Sequence, residues 1–181
     1  IAIYTSTPFR GLDVLSEVWE HIFIKCKEDY NIEPKLKIFT GMSLYNQSDN
    51  AFVELYNKLR FLPNVDISQP IPQKKLYDEL KKCRVMLYPN HFLETGCMSV
   101  LEAIANGVWI VTTDLGALNE QVTEKTGFLI KGDARSDSYK SEFIHYAVKS
   151  IIDYKVPDGK DLVFSWDEQA VKMRKIIMEN L

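Results

Sequence analysis

Cysteine is scarce: Cys26, Cys83 and Cys97 stand far apart in 181 residues. They are too few and too scattered for a disulfide framework or for paired CxxC metal ligation. Reduced thiols in an intracellular protein are the expectation. Charge of one sign is lacking too. With a net charge of −3, no chain-wide basic field points to nucleic acid or to anionic lipid. The longest apolar runs fall far short of the ~20 residues of a membrane span, and no signal peptide is evident. There is no GxGxxG dinucleotide fingerprint and no Asp-x-Asp pair. His21, His91 and His145 have no metal-ligand spacing, and no Ser-His-Asp or Cys-His arrangement can be argued. Low-complexity segments and internal repeats are absent.

What remains is an ordinary globular composition, 46% hydrophobic and 26% charged, in a chain long enough for one domain with a sizeable core. The chain opens on the strand-like Ile1-Ala2-Ile3-Tyr4 without an initiator Met, which leads us to expect a piece of a larger protein.

Strand-like and helix-like segments alternate. The strand-like ones are Ile1–Thr5, Lys35–Phe39, Val65–Ser68, Arg84–Tyr88, Val108–Thr112 and Gly127–Ile130. Gly11 to Tyr30 has Leu12, Leu15, Trp19, Ile22 and Phe23 at helical spacing. Asp49 to Phe61, with Asp49 or Asn50 as N-cap, and Gln73 to Cys83 read as helices. So do Ser138–Tyr154 and Asp167–Asn180. Pro70-Ile71-Pro72 forces an extended loop. The alternation predicts an α/β, Rossmann-like three-layer sandwich: a parallel sheet of about six strands with helices on both faces. Right-handed crossovers follow. Ligands in such sheets bind beyond the carboxyl ends of the strands, near the switch in strand order. The loops in that position are Ser6–Gly11, Thr40–Asn46, Gln69–Pro72, Pro89–Met98 and Thr113–Leu118.

The stretch Glu94 to Gly107, ETGCMSVLEAIANG, is the richest in the chain. It places two carboxylates, Glu94 and Glu102, around Gly96 and the small residues Thr95, Cys97 and Ser99, and then runs into an alanine-rich helix. A helix N-terminus offers unpaired N–H groups and partial positive charge, which suit phosphate. Carboxylates beside it accept hydrogen bonds from sugar hydroxyls. One segment could therefore hold both halves of a sugar nucleotide. The plain alternative is two helix-surface carboxylates, but Glu102 lies amid Val100, Leu101, Ala103, Ile104 and Ala105, where a bare charge is costly and needs a partner.

Other candidates are weaker. In Ser6–Asp13, Gly11 would let backbone approach a ligand, and Arg10 is a planar, permanently charged donor suited to phosphate. The alternative for Arg10 is a solvated loop cation. Thr113–Glu120 could face a ligand or be an ordinary turn. His91 lies in the same loop as Glu94 and could touch a substrate, whereas His21 and His145 read as helix-surface residues. Trp19, Trp109 and Trp166 read as core or docking anchors.

These residues resemble a known family. Glu94-x7-Glu102 followed by Ala103-Ile104-Ala105-Asn106-Gly107 is similar to the signature of the retaining GT-B-type glycosyltransferases of group 1 (family 4), roughly E-x-F-G-x-x-x-L-E-A-M-A-x-G-x-P-V-V. The likeness extends through Asp114, Gly116 and Glu120, and includes the opening STPFRGLDVL and the closing Phe164-Ser165-Trp166. It covers nearly the whole chain as the C-terminal, donor-binding half of a GT-B fold. Residues 1–181 would form the nucleotide-sugar-binding domain, 165–181 its C-terminal helix, and the acceptor-binding N-terminal domain would lie outside this chain.

The resemblance implies roles. Glu94 and Arg10 would be catalytic: Glu94 contacting the donor sugar's hydroxyls, Arg10 neutralising the leaving diphosphate. Arg10, Gly11, Ile71, Glu94, Gly96, Cys97, Met98, Ser99 and Glu102 would bind the donor, with Glu102 on the ribose hydroxyls, the N–H groups near Cys97, Met98 and Ser99 on the diphosphate, and the backbone at Ile71 on the base. No metal and no cofactor is implied; the donor substrate is a nucleotide diphosphate sugar such as UDP- or GDP-hexose. The reaction implied is retaining hexosyl transfer to an acceptor hydroxyl in glycan, glycolipid or cell-surface polysaccharide synthesis, at a cytoplasmic site or peripherally at the inner face of a membrane. The acceptor glycan or glycolipid would be bound through the missing N-terminal domain, and the isolated domain would be inactive. A sugar-nucleotide 2-epimerase, a phosphorylase or a non-catalytic nucleotide-sugar-binding module are the alternatives. The chain departs from the family pattern at Thr5 and Ser6, where a second basic residue is usual. It departs again at Gly96 for an aromatic, at Cys97 for glycine and at Trp109 for proline.

Overall fold

The computed structural model describes residues 1–160, 162–163 and 165–179, except for the side chain of Leu44. Phe164 and the expected last helical residue, Asn180, lie outside the described residues. Six strands, β1 (Ala2–Thr5), β2 (Leu36–Phe39), β3 (Val65–Ser68), β4 (Val85–Tyr88), β5 (Trp109–Thr113) and β6 (Gly127–Ile130), form one sheet in the order β3-β2-β1-β4-β5-β6. Every neighbouring pair is parallel. This is the expected Rossmann-like α/β architecture.

The burial pattern explains the strand order. All residues of β1, β4 and β5 are buried, as strands covered on both faces must be. The edge strand β3 alternates half-buried Val65 and Ile67 with exposed Asp66 and Ser68. The chain runs outward from β1 to β3, then returns to β4 beside β1, so the strand order switches between β1 and β4. These two strands share only the pairs Ala2↔Val85 and Ile3↔Met86, whereas every other neighbouring pair shares four.

The helices are α1 (Leu12–Tyr30), α2 (Val53–Arg60), α3 (Gln73–Leu80), α4 (Met98–Ala105), α5 (Leu118–Gln121), α6 (Asp137–Ile152) and α7 (Trp166–Glu179). α1 packs against α6 and α2, while α6 also covers β4, β5 and β6. Right-handed crossovers place α3 and α4 on the opposite face. The core between these layers is apolar, with Trp19, Leu12, Leu15 and Ile22 of α1 fully buried against strand residues such as Ile3, Tyr4 and Leu36.

Some boundaries differ from the expected ones. Asp49 precedes a 3-10 turn, Asn50–Phe52, rather than capping α2 with its side chain. Its carboxylate instead accepts bonds from the Met42 amide (2.9 Å), the Tyr56 hydroxyl (2.8 Å) and Gln69 (3.3 Å). The third helix ends at Leu80, and the Cys83 amide turns back onto the Leu80 carbonyl. α6 starts earlier than expected because Ser136 caps it, accepting from the Tyr139 amide at 3.3 Å. Trp19 and Trp109 are core residues, but Trp166 opens α7 with 83% of its surface exposed. Among the described residues, no helix is long and apolar enough to cross a membrane.

Candidate functional site

The β1–α1 and β4–α4 loops leave the sheet on either side of the switch in strand order, and two glycines let them meet. Gly11 has φ +94, and a Cβ there would stand 2.0 Å from the Pro89 carbonyl oxygen. Gly116, after β5, has φ +57, and its Cβ would stand 2.4 Å from the Glu94 carbonyl oxygen. The Ala117 amide then donates to that same carbonyl at 2.8 Å. Three ligand-side loops are thus fastened backbone to backbone, with no room for a side chain between them.

Two tyrosines at the strand ends complete the fastening. The Tyr4 hydroxyl donates to the Thr7 carbonyl at 2.7 Å, which shapes the first loop. The Tyr88 hydroxyl donates to Glu94 Oε1 at 2.6 Å, which pins the carboxylate in the second. Glu94 is buried, only 5% exposed, so it needs these partners. Its other partner is Arg10, whose Nη1 lies 3.4 Å from the same Oε1. The Arg10 guanidinium also lies over the rings of Phe92 (4.9 Å) and Phe9 (5.4 Å), and its Nη2 donates to the Tyr45 hydroxyl at 3.4 Å. Burial alone would lower the Arg10 pKa, but Glu94 and the phenols of Tyr88 and Tyr45 outweigh it and hold the pKa above its ordinary value. Arg10 is therefore a fixed cation in an aromatic box rather than a solvated loop residue.

In front of this cluster lies a cavity of about 470 Å³. Thr5, Ser6, Thr7 and Arg10 form one wall. Phe39, Thr40, Gly41 and Tyr45 form a second, Pro70, Ile71 and Leu76 a third, and Ser99 and Glu102 of α4 close it. Hydroxyls and one cation thus face aliphatic and aromatic surface. Four buried side-chain polar atoms have no hydrogen-bond partner among the described residues: Thr7 Oγ1, Arg10 Nε, Thr40 Oγ1 and, in the core, Trp109 Nε1. The first three belong to the walls of this one cavity. Unpaired buried polar atoms are costly and uncommon, and their convergence on one space points to a polar occupant.

Glu102 is half-buried on the cavity wall rather than enclosed by its apolar neighbours in sequence, and its carboxylate has two partners. Its Oε1 accepts from Gln73 Nε2 at 2.6 Å and from the Tyr77 hydroxyl at 3.2 Å, both on α3. The Tyr77 pKa is raised, by burial and then by this carboxylate. Of the expected site residues, Arg10, Ile71, Ser99 and Glu102 line the cavity, and Glu94 stands behind Arg10. Gly11 is buried beneath the loop as a spacer. Gly96 is exposed with open space around it, and Met98 is 57% exposed; neither is on the cavity wall. The Cys97 amide is occupied by Gln121 Oε1 at 2.9 Å, so the open first turn of α4 is left to Met98 and Ser99. Burial pushes the Cys97 thiol up to about 11, which keeps it protonated and unreactive at neutral pH.

His91 does not face the cavity. Its Nε2 sits 3.0 Å from Asp13 Oδ1, while Arg135 reaches Asp13 Oδ2 at 3.2 Å. Burial opposes ionisation of Asp13, but the His91 hydrogen bond and charge outweigh it and lower the Asp13 pKa. This trio ties the first turn of α1 to the loops after β4 and β6. His21 and His145 are exposed on their helices. Among the described residues, no three His, Cys, Asp or Glu side chains come close enough to hold a metal ion.

The residues that sequence reasoning passed over are Tyr45, Phe9, Phe92, Tyr88, Gln73, Tyr77 and Gln121. Phe9 immediately precedes Arg10 and Phe92 sits two residues before Glu94, so their place in those loops was a usable signal. The others act across elements and carried none.

Strand order, switch-point cavity and loop cluster define a Rossmann-like α/β domain whose candidate site lies beyond the carboxyl ends of its parallel strands. The chain belongs to the glycosyl transferases group 1 family, whose model matches residues 8–146. Solved structures share the fold, and the chain has the architecture of one half of a GT-B glycosyltransferase. It is similar to sucrose-phosphate synthase from Thermosynechococcus elongatus, with 18% identity and a TM-score of 0.62 over 98% of this chain and 45% of that one. It is similar to a glycosyltransferase from Rickettsia africae ESF-5, with 15% identity and a TM-score of 0.58 over 100% of this chain and 49% of that one. A third is the pneumococcal O-GlcNAc transferase GtfA in complex with UDP and GlcNAc, with 15% identity and a TM-score of 0.56 over 84% of this chain and 29% of that one. The chain therefore spans less than half the length of these structures. No curated protein matches the sequence.

Proposed function

We propose that the cavity holds the nucleotide diphosphate of a sugar donor, UDP- or GDP-hexose, for retaining transfer of the hexosyl group to an acceptor hydroxyl in glycan, glycolipid or cell-surface polysaccharide synthesis. The observation that carries this reading is the convergence of Thr7 Oγ1, Arg10 Nε and Thr40 Oγ1, all buried and without a partner among the described residues, on one switch-point cavity. Family membership supports the reaction class, and the relative solved with UDP and GlcNAc supports uracil as the first base to try.

Each side chain has a task in this reading. The base lies against Phe39, Pro70, Ile71 and Leu76, where apolar surface and the main chain of the Pro-Ile-Pro loop receive it. Glu102 accepts from the ribose. Ser6, Ser99 and the first-turn amides of α4 meet the phosphates, and Arg10 opposes the charge that grows on the diphosphate as the glycosidic bond breaks. A fixed cation and preorganised donors at that point lower the barrier because they need no reorganisation. Glu94 orients the sugar from behind Arg10. The acceptor is bound by an N-terminal domain outside residues 1–181, so this chain alone binds donor without transferring it. The full protein works in the cytoplasm or peripherally at the inner face of a membrane.

A second reading, a non-catalytic nucleotide-sugar-binding module, has one observation in its favour. Arg10 is the only Lys or Arg on the cavity wall among the described residues, and it is already paired with Glu94. Calorimetric or NMR titration with UDP, GDP and their sugar conjugates tests the donor site. Saturable binding lost in Arg10→Ala and in Glu102→Ala supports it. No binding at millimolar ligand, by this chain or by the full-length protein, sinks it. Sugar transfer by the full-length protein, abolished by Arg10→Ala, separates enzyme from module.

A further inference from the structure

The Glu94 carboxylate is asymmetric. Oε1 carries both of its partners, the Tyr88 hydroxyl at 2.6 Å and Arg10 Nη1 at 3.4 Å. Oε2 has none among the described residues. Tyr88 is the tighter of the two contacts and the more rigid. It is the last residue of β4, fully buried, with its ring tilted against Tyr4 at 5.8 Å. A hydroxyl on a strand end cannot swing as an arginine head can. Its oxygen also lies 3.5 Å from Ser6 Oγ on the cavity wall. Glu102 is built in the same way: Tyr77 and Gln73 both donate to its Oε1. Each carboxylate thus has one oxygen fixed by a neighbouring element.

We propose that Tyr88 is a positioning residue for the donor sugar: its hydroxyl locks Oε1 of Glu94 and leaves Oε2 as the single acceptor offered to a sugar hydroxyl. The inference rests on the donor-binding reading above and deepens it. A short bond from a buried hydroxyl to a carboxylate is a charge-assisted one, strong enough to hold the rotamer. Burial keeps the Tyr88 phenol far above the ordinary tyrosine range, so it remains a donor at any working pH. A carboxylate held this way presents one lone-pair direction rather than a rotating pair, and so discriminates one hydroxyl position on the sugar ring from its epimer.

Tyr88→Phe removes the hydroxyl and keeps the ring, so packing against Tyr4 survives; a thermal melt checks the fold. The probes are the nucleoside diphosphate alone and its sugar conjugate. The expected result is about tenfold weaker binding of the conjugate, the loss typical of a hydrogen bond to a charged group, with the bare diphosphate changed less than about twofold. In a Glu94→Gln background, Tyr88→Phe should add nothing, because its effect passes through the carboxylate. Equal weakening of both ligands would overturn the inference, as would an undiminished Tyr88→Phe effect on top of Glu94→Gln. If the wild-type chain binds the diphosphate with no gain from the sugar, the positioning role fails while the donor site stands. If neither the chain nor the full-length protein binds either ligand, the donor site itself fails.

Discussion

Arg10 and Glu94 meet at 3.4 Å across the switch in strand order, one from each of the loops that diverge there. The Glu94 side chain is 4% exposed and the Arg10 side chain 21%. Truncating one member of such a pair leaves the other buried and under-compensated, which matters more than the attraction lost. Arg10→Ala should therefore destabilise the chain by about 2–3 kcal/mol in chemical denaturation, and adding Glu94→Gln should recover part of it. Arg10→Lys should fall between, since an ammonium keeps the charge but not the planar fit over Phe9 and Phe92.

Gly116 is set by its neighbour rather than by its own turn. A methyl group there meets the Glu94 carbonyl at 2.4 Å in a left-handed conformation. Gly116→Ala should cost more than about 1 kcal/mol and displace Glu94. The Tyr88–Glu94 distance in a crystal structure of the variant checks the displacement. An unchanged 2.6 Å contact with full stability would contradict this account.

Glu102 is held twice. Tyr77→Phe leaves Gln73 on Oε1, so it should weaken nucleotide binding only slightly. Glu102→Ala removes the acceptor and should weaken it by about 10-fold or more on the proposed reading. Titrating both variants with the same nucleoside diphosphate orders the two effects. The reverse order would remove Glu102 from the ribose contact.

Asp13 gives the loops an acid limit. Its pKa is lower folded than unfolded, so its contribution is present above the ordinary aspartate range and lost as pH falls through the folded value. Asp13→Asn should be less stable than the wild type at neutral pH, with the gap closing below about pH 4. Denaturation at stepped pH checks the sign. A gap that widens in acid would mean that His91 and Arg135 do not hold the carboxylate in its charged form.

The three thiols should resist alkylation while the chain is folded. Cys26, Cys83 and Cys97 are buried, and burial pushes each up to about 11. Mass spectrometry after brief iodoacetamide treatment at neutral pH should find them unmodified. Rapid labelling of Cys97 alone would show that the first turn of α4 opens.

Much of this was legible in the chain. Alternating period-2 and period-3.6 patterns predict a parallel sheet, and a parallel sheet places its loops by topology alone, so Arg10 and Glu94 could be put on one side before any coordinates. Glu102 was expected to need a partner because of its apolar run; it has two, but it is half-buried on the cavity wall because its side chain leaves the helix on the cavity side. Illegible were the contacts that only folding creates. Asp49 looks like an N-cap, but Met42, Tyr56 and Gln69 claim its carboxylate first. Tyr88 ends an apolar run and looks like plain core, because nothing in VMLY shows that its hydroxyl will meet Glu94. Gln121 offers no local hint that it will take the Cys97 amide.

The short β1–β4 pairing has a mechanical consequence. Beyond Ile3 and Met86 the two strands part, and Tyr4 and Tyr88 pair outward with Ile38 and Thr112 instead of with each other. The sheet is thus two halves joined along a seam with half the backbone stitching found elsewhere. The cavity opens where that seam ends. Ser6 and Arg10 belong to one half, Ser99 and Glu102 to the other, and a molecule gripping both walls would act as the missing stitches.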